Sequence, residues 1–194
     1  MKPGAKDRGR VLIYQLMVRH FGNTRQGAVL NGTIEENGCG KFGDINDAAL
    51  SSLREMGFTH LWLTGVLEHA SLTAYPKRPA DDPLIVKGRA GSPYAIRDYF
   101  DVSPDYAMEP EKRLEEFCVL VARCREHGLE TLIDFVPNHV ARSYQSDVRP
   151  ELSFGVDDDL SCSFERDNNF YYLGPESGKG PPLRLPAAEG EMVY

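Results

Sequence analysis

One eight-residue pattern occurs twice in this chain and constrains its fold more than any other feature. Arg54-Glu55-Met56-Gly57-Phe58-Thr59-His60-Leu61 resembles Arg125-Glu126-His127-Gly128-Leu129-Glu130-Thr131-Leu132. Each copy reads as a helix end, a glycine that stops the helix in the left-handed region, and a buried strand. Two identical α-to-β joints imply two helix-then-strand units. With an apolar run at Val11 to Val18 ahead of the first, the order is strand, helix, strand, helix, strand. Parallel pairing through crossover helices is the way such a series buries its apolar faces.

The intervening segments fill in this plan. Val11 to Val18 is nearly all apolar and predicts a first strand buried on both faces. Residues 19–45 are rich in Gly and Asn and predict a long loop, a length usually tied to function. Asn46 or Asp44 is a candidate cap for a helix whose core positions are Ala49, Leu50, Leu53 and Met56. A second strand spans residues 58–66, and five prolines between Leu67 and Tyr106 predict an irregular stretch. Pro110 suits the start of the next helix, with Leu114, Phe117, Cys118 and Val121 as its apolar face. Short αβ joints opposite long βα loops match a TIM (β/α)8 barrel, although a doubly wound sheet has the same local pattern. No Gly-x-Gly-x-x-Gly follows the first strand to favour dinucleotide binding. The fold expected is α/β, with residues 1–140 forming about three βα units of a barrel (strands one to three, helices one and two). Residues 141–194, polar and rich in Gly, Pro and aromatics, are the incomplete start of an irregular inserted domain.

Charge and composition narrow the function. A net charge of −7 and a pI near 5.3 argue against nucleic-acid binding. No apolar run reaches the roughly 18 residues that span a bilayer. The basic start resembles a secretion signal, but Gln15, Arg19 and His20 interrupt the apolar run and no small-residue cleavage site follows, so a cytoplasmic protein is expected. Cys39, Cys118, Cys124 and Cys162 lack zinc-site spacing and read as reduced thiols. Asn31-Gly32-Thr33 reads as a turn, and Asp157-Asp158-Asp159 as a solvated acidic loop rather than a metal site.

Chemistry concentrates in Leu129 to Arg142, LETLIDFVPNHVAR. Asp134 interrupts an apolar strand, where a carboxylate needs partners. Asn138 and His139 follow where the strand must end, at the edge where parallel α/β folds bind ligands. The run from Asp134 to His139 resembles the Asp-x-x-x-Asn-His block of the α-amylase family of glycoside hydrolases and transglycosylases. Three more blocks resemble that family in order: Tyr14-Gln15 with Arg19 to Asn23, His60 to Thr64, and Tyr94 to Tyr99. The chain departs from the family pattern at Ser92-Pro93 (often Gly or His-Gly), at Ala95 (usually Asp) and at Gly65 (commonly Pro).

The resemblance implies that Tyr94 is the aromatic platform under the sugar and that His139 hydrogen-bonds its hydroxyls. It implies a structural Ca²⁺ ligand at Asn138, in a family where many members lack the ion. Asp134 and Asp98 would be structural supports, and no organic cofactor is expected. Retaining glycosidases need two carboxylates about 5–5.5 Å apart, which the family carries on later strands, so no catalytic residue is expected within these 194 residues. The expected whole is an amylase-type enzyme acting on an α-glucan or maltooligosaccharide. This chain would be its N-terminal fragment, inactive alone and partnered by the remainder of its own barrel. The alternative is a non-catalytic carbohydrate-binding or accessory protein of the same fold. An unrelated parallel α/β enzyme is a third.

Overall fold

A computed structural model describes residues 9–162 and 164–171. The basic start and residues 172–194 of the expected inserted domain lie outside the described residues. The elements in order are β1 (Ile13–Met17), α1 (Ile34–Asn37), α2 (Asp47–Glu55), β2 (His60–Thr64), β3 (Leu67–His69), β4 (Ile96–Val102), α3 (Arg113–Glu126) and β5 (Glu130–Ile133), with single turns of tighter helix between several of them.

Three strands form one parallel sheet in the order β1-β2-β5, with Ile13, His60 and Glu130 in register. The two α-to-β joints that predicted this sheet are the same at atomic level. Gly57 and Gly128 sit at φ +92° and +71°. The amides after them reach back alike, Phe58 N to Leu53 O at 3.2 Å and Leu129 N to Cys124 O at 2.9 Å. These bonds satisfy helix-end carbonyls that would otherwise be orphaned. Across the joints, His127, which caps α3, bonds Ser51 and Asp47 of α2, tying the end of one helix to the other.

The core is made by the inner faces of these units: Leu50, Leu53, Leu61, Leu63, Leu120 and Cys124 cluster with Phe42, Ile45 and Tyr106. Asn46, not Asp44, caps α2 by accepting from Ala49 N at 3.1 Å, and Met56 points outward. Two expectations about burial are corrected. β1 is an edge strand, and Ile13 and Gln15 are open to solvent because the core packs only on its other face, that of Tyr14, Leu16 and Val18. On α3 the inward face is Phe117, Leu120 and Cys124; Leu114 and Cys118 face out. The two candidate faces differ by a rotation of one position, and α3 mixes charge into both.

The larger correction concerns residues 67–106. β3 and β4 form an antiparallel pair with shifted register inside the stretch read as irregular, joined to the end of β2 by Ser103 N to Val66 O at 2.9 Å. The 19–45 loop likewise holds α1, closed by a reciprocal cap between Thr33 and Glu36. Among the described residues no helix is long and apolar enough to cross a membrane.

Candidate functional site

The carboxyl ends of β1, β2 and β5 are stitched together by side chains. Gln15 Nε2 donates to Thr64 Oγ1 at 2.8 Å, linking β1 to β2. Asp134, one residue beyond β5, accepts from Trp62 Nε1 at 2.8 Å and from Gly65 N at 2.7 Å. The carboxylate that interrupts the apolar run thus has its partners on the neighbouring strand, and both are at the mouth of the sheet.

The chain after Asp134 turns over this edge and is held by Tyr99 of β4. The Tyr99 hydroxyl donates to Val136 O and to His139 O, the latter at 3.3 Å, and burial pushes its own ionisation up. Asn138 and His139 are exposed along a groove of about 470 Å³ whose walls include Tyr99, Phe135, Tyr144 and Phe154. Tyr144 and Phe154 stack at 4.7 Å, and Tyr99 leans on both. Such a wall suits the apolar face of a ring ligand, with imidazole and amide at the rim to bond its hydroxyls.

The structure brings Asn138 and His139 together on that groove and leaves Tyr94 outside its walls. Tyr94 is 41% exposed, two residues before β4, on a loop seated by Pro93 against Gly65. Asp98 is fully buried in β4: Oδ1 accepts from Phe100 N at 2.7 Å, and Oδ2 from Ser146 Oγ at 2.8 Å and Asp147 N at 2.9 Å. With Ala141 N to Ile96 O and Gln145 N to Arg97 O, these bonds lay the segment after residue 140 along β4. Calcium takes six to eight oxygen ligands, and among the described residues the groove around Asn138 carries no carboxylate. An ion of that kind at Asn138 would need oxygen ligands from beyond this groove.

Reading from sequence missed a buried ionic layer behind the site. Glu68 meets Arg78 at 2.6 Å, Arg97 meets Asp81 at 3.1 Å, and Arg113 meets Asp101 at 2.6 Å. Glu68, Asp98 and Asp101 lie within 4.8 Å of one another, but Arg78 and Arg113 already pair with Glu68 and Asp101, and Asp98 is satisfied by Phe100, Ser146 and Asp147. A second hub is Asp105, which takes Arg19, the Tyr75 hydroxyl at 2.7 Å and, through its carbonyl, Lys41 at 2.7 Å. Burial pulls the Arg19 ionisation down, but Asp105 and the Tyr106 ring, 5.6 Å away, leave it raised. The one signal available in the sequence was a polar pair, Glu68-His69, soon after a buried strand. The Asp157 to Asp159 run bonds its own loop, Asp158 accepting from Asn169 and Phe170 amides and Asp159 from Ser161.

The family model described as "Alpha amylase, catalytic domain" matches residues 15–182. Maltase A1 of Drosophila melanogaster is 28% identical over 99 residues, covering 50% of this chain and 13% of the relative. An alpha-glucosidase of Culex pipiens is 32% identical over 90 residues, covering 45% and 14%. A solved alpha-amylase from Lactobacillus plantarum is 26% identical with a TM-score of 0.48, over 73% of this chain and 26% of that one. The chain thus spans about one seventh of the length of the curated relatives it matches. A match that runs from the middle of β1 past the last of the side chains at the sheet's mouth establishes that this chain belongs to the α-amylase family, in its catalytic domain.

Proposed function

We propose that this chain supplies the sugar-holding edge of an α-glucan-active retaining glycoside hydrolase or transglycosylase. Tyr94 and His139 contact the sugar, Asp134 and Asp98 hold the scaffold, and the reacting carboxylates come from outside these 194 residues. Asn138 offers one amide oxygen to a structural Ca²⁺ completed elsewhere. The observation that carries this reading is the placement of His139 on an aromatic-walled groove at the carboxyl edge of a parallel sheet, in a chain of this family.

The test uses the full natural protein and a maltooligosaccharide. An aromatic platform buries enough apolar area that Tyr94→Ala weakens binding roughly tenfold or more. His139→Ala removes one or two hydrogen bonds of about 1 kcal/mol each, a loss of roughly fivefold to thirtyfold. Thermal protection by maltose that is unchanged in both variants would overturn the site assignment, since protection reports binding to the native state. The 194-residue chain by itself is expected to be inactive, and turnover of starch by it would refute the assignment of the reacting carboxylates.

A further inference from the structure

A second pocket lies on the same edge of the sheet, away from the aromatic groove. It encloses about 290 Å³ between the loop after β1 and the stretch before β4, lined by Arg19, His20, Arg25 and Arg89 among others, with no Asp or Glu in its walls. That composition runs against a chain whose net charge is −7. Arg19 is neutralised by Asp105. Arg89 spends only its Nε, on Asn31 O at 3.0 Å, and Arg25 uses only its backbone amide, on Asn23 Oδ1 at 3.1 Å. Among the described residues neither guanidinium has an ion pair. Glu35 feels the charge of Arg89, and it is not a wall of the pocket.

The cradle is built rather than incidental. Asn23 Nδ2 bonds Asn37 O at 3.0 Å, and the Asn37 amide both accepts from Val29 N at 2.7 Å and donates to Val29 O at 2.9 Å. The stem of Arg25 lies against Gly38, where a Cβ would come within 2.6 Å of its Cγ. Exposed Arg25 and half-buried Arg89 both line this one small cavity with their terminal amines uncommitted to any acid, and guanidinium groups suit an oxyanion with several acceptor oxygens. Ala90 of this pocket is four residues from Tyr94, so their Cα atoms are no more than about 14 Å apart.

We propose that this pocket binds an anionic sugar, a saccharide carrying a phosphate ester or a carboxylate, with Arg25 and Arg89 holding the charged group. The saccharide part rests on the carbohydrate reading of the neighbouring edge; the anion part stands on the pocket alone. The test is calorimetry on the full natural protein at fixed ionic strength with glucose 6-phosphate, glucuronate, inorganic phosphate and glucose. At least one charged sugar should bind tenfold or more tighter than glucose. Arg25→Gln and Arg89→Gln should erase that margin without changing the melting temperature, and Arg25→Lys should restore part of it. Equal binding of glucose and both charged sugars overturns the proposal. So does inorganic phosphate binding as tightly as glucose 6-phosphate, which would make the site one for a free anion. If the charged-sugar margin depends on Arg25 while Tyr94→Ala leaves maltose binding intact, the pocket stands and the α-glucan reading fails.

Discussion

Removing the Asp98 carboxylate should loosen the segment that follows the third parallel strand. Asp98 is fully buried and accepts three hydrogen bonds, two of which come from Ser146 and Asp147 on that segment. Bonds to a charged acceptor contribute about 1.5–3 kcal/mol each, so three set an upper range of about 4.5–9 kcal/mol. Two effects reduce it. A carboxylate in the interior carries a desolvation penalty that the mutation relieves, and water can enter the vacated space beside Ser146. Asp98→Ala should therefore cost about 3–5 kcal/mol, at the upper end of what single substitutions do. Asp98→Asn keeps one oxygen. If that oxygen serves Ser146 and Asp147, the amide nitrogen faces the Phe100 N–H, and the cost is about 1–3 kcal/mol. Chemical denaturation measures the totals. Limited trypsin digestion locates them, since Arg142 and Arg149 bracket the segment and local release exposes those bonds first. An Asp98→Ala protein that unfolds within about 0.5 kcal/mol of wild type, with unchanged cleavage after Arg142, would refute the view that this carboxylate anchors the segment.

Glu68 should make stability fall as pH rises. Its burial, opposed by Arg78 and Arg97 but reinforced by Asp147, pushes its ionisation up to about 7 from an ordinary 4.5, and its Oε2 has no hydrogen-bond partner. A raised folded-state value means the stabilising contribution is whole below pH 4.5 and is lost as pH climbs through about 7, a loss on the order of 3 kcal/mol. Buried His69, whose ionisation is pulled down by burial, acts in the opposite sense, so the difference between wild type and Glu68→Gln isolates the carboxyl; equal pH slopes in the two proteins would refute it. Gly65→Ala should cost about 2–4 kcal/mol, from a left-handed backbone and from overpacking. The added Cβ would stand 2.3 Å from Pro93 Cβ at φ +61°, so Pro93→Ala should recover part of the loss in the double variant, and no recovery would show that the contact is not its source.

What was legible in the sequence was whatever depends on near neighbours. The glycine joints at Gly57 and Gly128 specify their hydrogen bonds within six residues, so two strands, two helices and the parallel order of the sheet could be read directly. The Asp134 partnership was legible as a need, because a carboxylate in an apolar run must be bonded, but not as Trp62 and Gly65, which lie about seventy residues earlier. β3 and β4 were hidden for a related reason. β3 is only three residues long and the pair is shifted in register, and buried Glu68, His69, Arg97, Asp98 and Asp101 are mixed among the apolar Leu67, Ile96 and Val102. Alternating hydrophobicity is the signal for a half-buried strand, and a pair that buries this many charged and polar side chains breaks that alternation.

The departures from the family pattern show how such distant dependence can still surface. Gly65 stands where the family commonly has proline, and Ser92-Pro93 stands where it often has glycine. Read separately they look like two unrelated losses of a family residue. In the structure they touch: Pro93 packs against the space that a side chain on residue 65 would fill. In this chain one rigid ring and one bare backbone share a contact, which seats the loop carrying Tyr94 against the end of β2. A change at either position alone would leave a clash or a gap beneath Tyr94, so the pair is one structural unit divided between two places in the chain.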